Sequence, residues 1–142
     1  MTALSVTAAS VATSATTLNN SYLAGAAVTV GQTVYLDTST STWKLAVCND
    51  TAAKAVVGGV ALNSSSASGQ PLSVLTSGDY NPGATVTKGV FYCVGTTAGS
   101  IVPISDLATG NYMTVFAVAT TASNLRLLNG AAISGLNAVT MP

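Results

Sequence analysis

The sequence predicts an all-β protein, a small barrel or sandwich built from two similar β modules, with an extended N-terminal arm. Three observations lead to this fold class. Short runs rich in β-branched residues recur along the chain, clusters of small and polar residues separate them, and one segment is repeated 58 positions later. Helical signals are few, since the chain has no Glu and no Lys-rich periodic stretch.

The clearest strand pattern covers residues 28–36, where apolar and polar residues alternate. Val28, Val30, Val34 and Leu36 share one face, which indicates a half-buried strand. Further strands are expected at residues 56–62, 72–75, 86–94, 114–119 and 125–128, and turns at 63–69, 77–79 and 81–83. Short helical turns are expected at 50–55 and 104–108.

The internal repeat begins with GAAVTVG at residues 25–31, which matches GATVTKG at 83–89. The same offset carries Leu36 onto Val94 and residues 60–61 onto 118–119, and with a gap 72–75 falls on 125–128. One such module buries too small a face to be stable alone. We therefore expect an arm over residues 1–21 and one β domain over 22–142, with the repeat at about 24–75 and 82–128.

Three glycines have a conformational explanation. Gly31 and Gly89 interrupt strand patterns, where glycine is otherwise costly, so each predicts a bulge or a tight bend. Gly83 follows Pro82 and suits a type II turn, which needs a residue that tolerates positive φ.

Composition narrows the function classes. Charged residues make up 6% of the 142 residues, and the net charge is zero. Such a chain cannot neutralise a row of phosphates, and it has no apolar run long enough for a membrane helix, so neither nucleic acid nor membrane is expected as a partner. A neutral surface gives little colloidal repulsion. This favours a component of an assembly, with a Ser/Thr-coated neutral monomer as the alternative.

Catalytic and metal chemistry are not expected. Histidine is absent, so no Ser–His or Cys–His pair exists. Cys48 and Cys93 show no zinc-ligand spacing and are expected to be free thiols, although a disulfide stays open. The acidic residues all lie in expected turns without calcium-loop spacing: Asp37, Asp50, Asp79 and Asp106. We therefore predict no enzyme activity, no cofactor and no metal.

Aromatic residues leave a second function class open, a carbohydrate-binding adhesin module. Tyr and Trp suit amphipathic contact surfaces, but β proteins also use them to fill cross-strand gaps, which is the favoured interpretation here. The residues concerned are Tyr22, Tyr35, Trp43, Tyr80, Tyr92 and Tyr112.

The N-terminal arm is the segment most expected to bind a partner. It lacks the charged and uninterrupted apolar regions of an export signal, and residues 4–7 alternate apolar and polar. With no predicted partner inside the domain, such an arm can add a strand to a neighbour's sheet edge. The candidate partner-binding residues are Leu4, Val6, Val11 and Leu18. The alternative is a frayed terminus.

Four segments together resemble the head decoration (capsid cement) proteins of tailed bacteriophages. They are AGAAVTVGQTVYLD at 24–37, GQPLSV at 69–74, GATVTKG at 83–89 and SDLATG at 105–110. The match is one of pattern and covers about residues 1–135. It contains strand and turn motifs and no catalytic residues.

The resemblance implies a structural virion protein. Such proteins are mostly β, are often homotrimers, and bind the outside of the assembled capsid, where they clamp neighbouring subunits of the major capsid protein. An N-terminal arm often contributes to the clamp. The expected location is the capsid exterior, with assembly in the host cytoplasm. A head-fibre or tail-associated structural protein remains the alternative within this class.

Overall fold

The protein is almost entirely β in a computed structural model that describes residues 4, 6, 11–12, 18–19, 22–76, 78–107, 110–112 and 115–127. The strands within these residues are β1 Val11–Ala12, β2 Leu18–Asn19, β3 Leu23–Ala24, β4 Thr33–Asp37, β5 Thr42–Leu45, β6 Gly59–Ala61, β7 Val74–Leu75, β8 Gly78–Pro82, β9 Phe91–Val94, β10 Ile101–Pro103, β11 Val115–Ala119 and β12 Leu125–Leu127. One helical turn, α1 at Ala52–Ala55, and one 3₁₀ turn at Ile104–Asp106 fall where short helices were expected.

The strands form two six-stranded sheets with the same internal order. In the first sheet the order is β2-β7-β6-β4-β5-β3, and in the second it is β1-β8-β12-β11-β9-β10. The core of the first sheet, β7-β6-β4-β5, therefore corresponds to β12-β11-β9-β10 in the second. All these core pairs are antiparallel.

Strand register repeats at the offset seen in the sequence. The recurring cross-strand pairs are Val34–Leu45 with Tyr92–Pro103, Leu36–Trp43 with Val94–Ile101, and Thr33–Val60 with Phe91–Val118. In all three comparisons, each residue of the first module lies 58 positions before its counterpart in the second. The prediction of a small β fold built from two similar modules is confirmed.

Both bend glycines lie at the same point of their modules. Gly31 has φ +92° and Gly89 has φ +84°. Their N–H groups donate to the carbonyls of Ala61 and Ala119, each at 2.8 Å. The alternation predicts a strand from residue 28. Because the chain turns at Gly31, the regular strand of the first module begins only at Thr33. The second module starts its strand at residue 91 for the same reason. Gly83 has φ +73°, as the predicted type II turn requires.

One detail of the repeat differs from the sequence alignment. Ala61 pairs with Val74 and Ala119 pairs with Leu125, so Val74 is the counterpart of Leu125. The alignment instead placed residue 72 there. The first module has the longer hairpin loop, residues 62–73 against 120–124. The shift from residue 72 to residue 74 is two residues, so the same face of the strand still points to the core.

Six strands were not predicted: β1, β2 and β3 in or just after the arm, and β5, β8 and β10 farther along the chain. β8 has the sequence GDYNP, which reads as turn residues, and the sequence places Asp79 in a turn. The structure corrects this, since Asp79 lies in β8 opposite Arg126 of β12. Non-local pairing here outweighs the local preference of Gly, Asp and Pro.

Each sheet has its own apolar core at equivalent positions. In the first module these residues are Val28, Val34, Trp43, Ala61 and Val74, and in the second they are Val86, Tyr92, Ile101, Ala119 and Leu125. Val60 and Leu75 of the first sheet join the second core. A further cluster combines Tyr35 and Cys48 with Cys93 and Val115, so the two modules share buried surface.

Candidate partner-binding surface: the N-terminal arm

The arm contacts both outer strands of the second sheet. The N–H of Leu4 donates to the carbonyl of Ile101 on β10 at 2.8 Å. Seven residues later, Val11 in β1 pairs with Pro82 of β8, and Ala12 pairs with Asn81. The described residues of the arm therefore contact strands near both edges of this sheet.

The first sheet is covered in the same way. Leu18–Asn19 pairs with β7 at one edge, and Leu23–Ala24 pairs in parallel with β5 at the other. Described residues between 4 and 24 thus contact strands β8 and β10 of the second sheet and strands β7 and β5 of the first. Unpaired sheet edges invite association with other chains. Sealing these edges is therefore the first physical role of the N-terminal region.

Side chains of the arm pack on the chain itself. Leu4, Val6 and Val11 are partly buried and lie against the core of the second module. A Cβ at Gly31 would lie 2.9 Å from Cγ1 of Val6 and 3.0 Å from Cγ2 of Val11. Val6 and Val11 of the arm thus pack directly over Gly31, at a distance that only a residue without a side chain allows.

A groove of about 250 Å³ lies beside Gly31. Leu4 and Val6 line it from the arm, and residues 29–32 and 97–101 line it from the two modules. The hydroxyl Oγ of Ser100, which lines the groove, is buried without a hydrogen-bond partner. The groove is mixed in character and contains no ionisable side chain among its lining residues.

The expectation of an arm without a partner inside the domain is therefore corrected. Leu4, Val6 and Val11 contact their own chain, and the backbone of Leu18 pairs with Leu75. An alternating arm that fits a neighbour's sheet edge fits its own edges equally well, because backbone N–H and C=O groups are the same in both. That these four residues bind another protein stays a prediction.

Most charged side chains neutralise one another. Three ion pairs join Asp37 with Lys44 at 2.7 Å, Asp50 with Lys54 at 2.5 Å, and Asp79 with Arg126 at 2.7 Å. The hydrogen bond from Lys44, together with those from Ser39, holds the pKa of Asp37 well below its usual range, and the bond from Arg126 lowers the pKa of Asp79. The surface field is therefore weak, and Lys88 lies exposed at a turn.

Both cysteines are buried in the cluster that joins the modules. They are free thiols, and burial raises the pKa of Cys93 to about 12. A thiol that stays protonated is a poor nucleophile and a poor metal ligand. Among the described residues, no three His, Cys, Asp or Glu side chains lie close enough to hold a metal ion. No helix in the described part of the chain is long and apolar enough to cross a membrane.

Most of the aromatic residues belong to the cores. Tyr35, Trp43, Tyr80 and Tyr92 are buried. Tyr22 is partly buried and packs edge-on against Trp43, with ring centroids 6.1 Å apart. These side chains fill the interior of the sheets, so they do not form a flat exposed platform of the kind that stacks on sugars.

Three large apolar side chains remain on the surface of the described residues. They are Leu23 on β3, Val56 after α1, and Phe91 at the start of β9, exposed by 48%, 41% and 46%. Phe91 is the largest of them and lies on a regular strand. Aromatic side chains of this kind are enriched at the buried centres of protein–protein interfaces.

A scan against protein-family models, a search of curated proteins and a search of solved structures each gave no match to this chain. Its function is therefore inferred from strand pairing, burial and charge in the chain itself, together with the resemblance of its motifs.

Proposed function

We propose that this protein is a structural virion protein that binds the outside of an assembled phage capsid and stabilises contacts between subunits of the major capsid protein. The observation that carries the proposal is the surface. It is neutral, six of its eight charged side chains form ion pairs within the chain, and it exposes apolar side chains such as Phe91. Such a surface suits broad contact with another protein.

The mechanism needs only differential binding. A protein that binds the assembled lattice better than free capsid subunits shifts the equilibrium towards the lattice by mass action. In this proposal the decoration protein is a homotrimer, and three equivalent contacts add avidity. The pairing of the arm with β7 and β8 supports it, since a protein present at high local concentration must not pair with its neighbours through open strands.

Quantitative mass spectrometry of purified virions tests the proposal. We expect copies of this chain in near-stoichiometric ratio to the major capsid protein, together with binding of the purified protein to capsids from which it has been stripped. A handful of copies per particle would instead indicate a head-fibre or tail component. Complete absence from the particle would refute the virion role and return attention to an adhesin module.

A further inference from the structure

The joint between the two modules uses different surfaces on its two sides. The turn at residues 95–100 of the second module, between β9 and β10, contacts the first module through three backbone bonds. Gly99 accepts from the N–H of Thr33 at 3.1 Å and donates to Ala46 at 2.7 Å, and Gly95 accepts from Cys48 at 3.0 Å. Thr33, Ala46 and Cys48 are fully buried. The second module thus supplies a turn, and the first module supplies a receiving surface.

Each module also contains a counterpart of the other module's half of the joint: the first module has an equivalent turn, and the second has an equivalent receiving surface. The counterpart of the 95–100 turn is the turn at residues 37–42, between β4 and β5, and its residues 38–41 are exposed. The counterparts of Thr33, Ala46 and Cys48 are Phe91, Ile104 and Asp106. Asp106 is partly buried, and the carbonyl of Ile104 accepts from the N–H of Leu107 at 3.3 Å. Ile104 is partly buried, and Phe91 is 46% exposed. One chain therefore carries one filled joint, one free turn and one uncovered receiving surface.

The free turn and the docked turn both have a residue with positive φ at the equivalent position. Gly99, whose backbone makes two of the bonds, has φ +79°. Its counterpart is Ser41, with φ +55°, the one non-glycine residue in the described structure with positive φ. This conformation costs an L-residue roughly 1 kcal/mol or more, and such strain often marks a functional site. The 37–42 turn thus has positive φ at the position whose counterpart, Gly99, makes two of the bonds of the joint.

The receiving surface is uncovered on a second side as well. At Gly31 the arm fills the space above the glycine with Val6 and Val11. At the counterpart Gly89 no atom of the described residues, apart from those adjacent to Gly89 in the chain, lies within 4 Å of the place where a Cβ would be. Residues 88–91 are therefore an exposed counterpart of residues 30–33, which the arm and the 95–100 turn both cover in the first module.

We propose that copies of this chain associate head to tail, with the 37–42 turn of one copy docked against Phe91 and Ile104 of the next. The contact repeats between chains the joint that the 95–100 turn makes within a chain. An interface of this kind is heterologous, so it closes into a ring or continues as a filament. A ring of three chains would place six modules around one axis. The interface stands independently of the capsid role.

The first experiment measures the oligomeric state of the purified full-length chain by sedimentation velocity over a range of concentrations. We expect an oligomer for the wild type and a monomer for Phe91→Asp, because a charge at residue 91 cannot be buried in the joint. Val56→Asp is the matched control, since Val56 is 41% exposed and lies outside both halves. A monomeric wild type, or a Phe91→Asp variant that assembles like the wild type, would overturn the proposal.

The second experiment tests the direction of the contact by disulfide trapping. Thr40→Cys and Phe91→Cys are made in separate chains, and the chains are mixed under mild oxidation with glutathione disulfide. We expect cross-linked dimers that contain one chain of each type. Neither variant alone should cross-link, and the wild type reports any contribution of its own two buried thiols. Dimers from Phe91→Cys alone, or none in the mixture, would contradict a head-to-tail contact.

Discussion

At the scale of single residues, two glycines with the same backbone conformation differ in their surroundings. Gly31 and Gly89 both have positive φ and donate equivalent hydrogen bonds. The first is buried beneath Val6 and Val11, whereas the second is exposed and open. The pair therefore separates the cost of backbone strain from the cost of displacing the arm.

We expect Gly31→Ala to destabilise the protein more than Gly89→Ala does. Both substitutions place a Cβ on a left-handed residue, which costs roughly 1–2 kcal/mol. Only the first also forces Val6 and Val11 aside, which adds about 1–3 kcal/mol of overpacking. Urea denaturation of both variants measures the difference. Equal losses of unfolding free energy would mean that the arm yields without cost.

At the scale of elements, the shortest strands cover the most exposed edges. β1, β2 and β3 are two residues long, yet they pair with β8, β7 and β5. Their stability comes from apolar contacts such as those of Leu4 and Val6 with the second core, because two-residue ladders contribute few hydrogen bonds. Loss of these contacts should release the arm and uncover strand edges.

The double variant Leu4→Asp, Val6→Asp should lose stability and aggregate. Placing two carboxylates against an apolar core should cost about 2 kcal/mol or more, and the freed β10 edge should then pair between chains. Thermal unfolding and light scattering measure both effects. The variant Val56→Asp, Ala67→Asp changes the net charge equally at exposed sites outside the strands and is the control. If the two variants behave alike, the arm does not protect the sheet edges.

At the scale of the whole molecule, the modules are joined by shared cores. Val60 and Leu75 of the first sheet lie in the core of the second, and Tyr35 and Cys93 occupy equivalent positions of the two modules in one cluster. Separation of the modules would expose these side chains to water, at about 25 cal/mol per Å² of apolar surface. The two modules should therefore unfold in one cooperative transition.

Trp43 reports on this cooperativity, because it is the one tryptophan of the chain and lies in the first core. Leu125→Ala removes a fully buried side chain from the second core. It should lower the unfolding free energy by about 2–5 kcal/mol, and the fluorescence transition of Trp43 should shift with the circular dichroism transition. Arg126→Ala, at an exposed position of the same strand, is the control. An unshifted Trp43 transition would mean that the modules unfold separately.

Sequence alone determined the β class, the two similar modules and the bends at Gly31 and Gly89. These features depend on alternation, on repetition and on the conformational freedom of glycine, which act within a few residues of one another. The short strand β8 escaped prediction because Gly, Asp and Pro suggest a turn until β12 lies beside them.

Only the tertiary structure decided which edges the arm covers and which copy of the joint is filled. Leu4 and Val11 would suit any open edge, since every strand presents the same backbone donors and acceptors. Likewise, nothing in the repeat distinguishes buried Thr33 from exposed Phe91 as receiving positions. The choice depends on contacts between residues far apart in the chain, and in a repeated fold each module offers the same local surfaces while the single chain can fill only part of them.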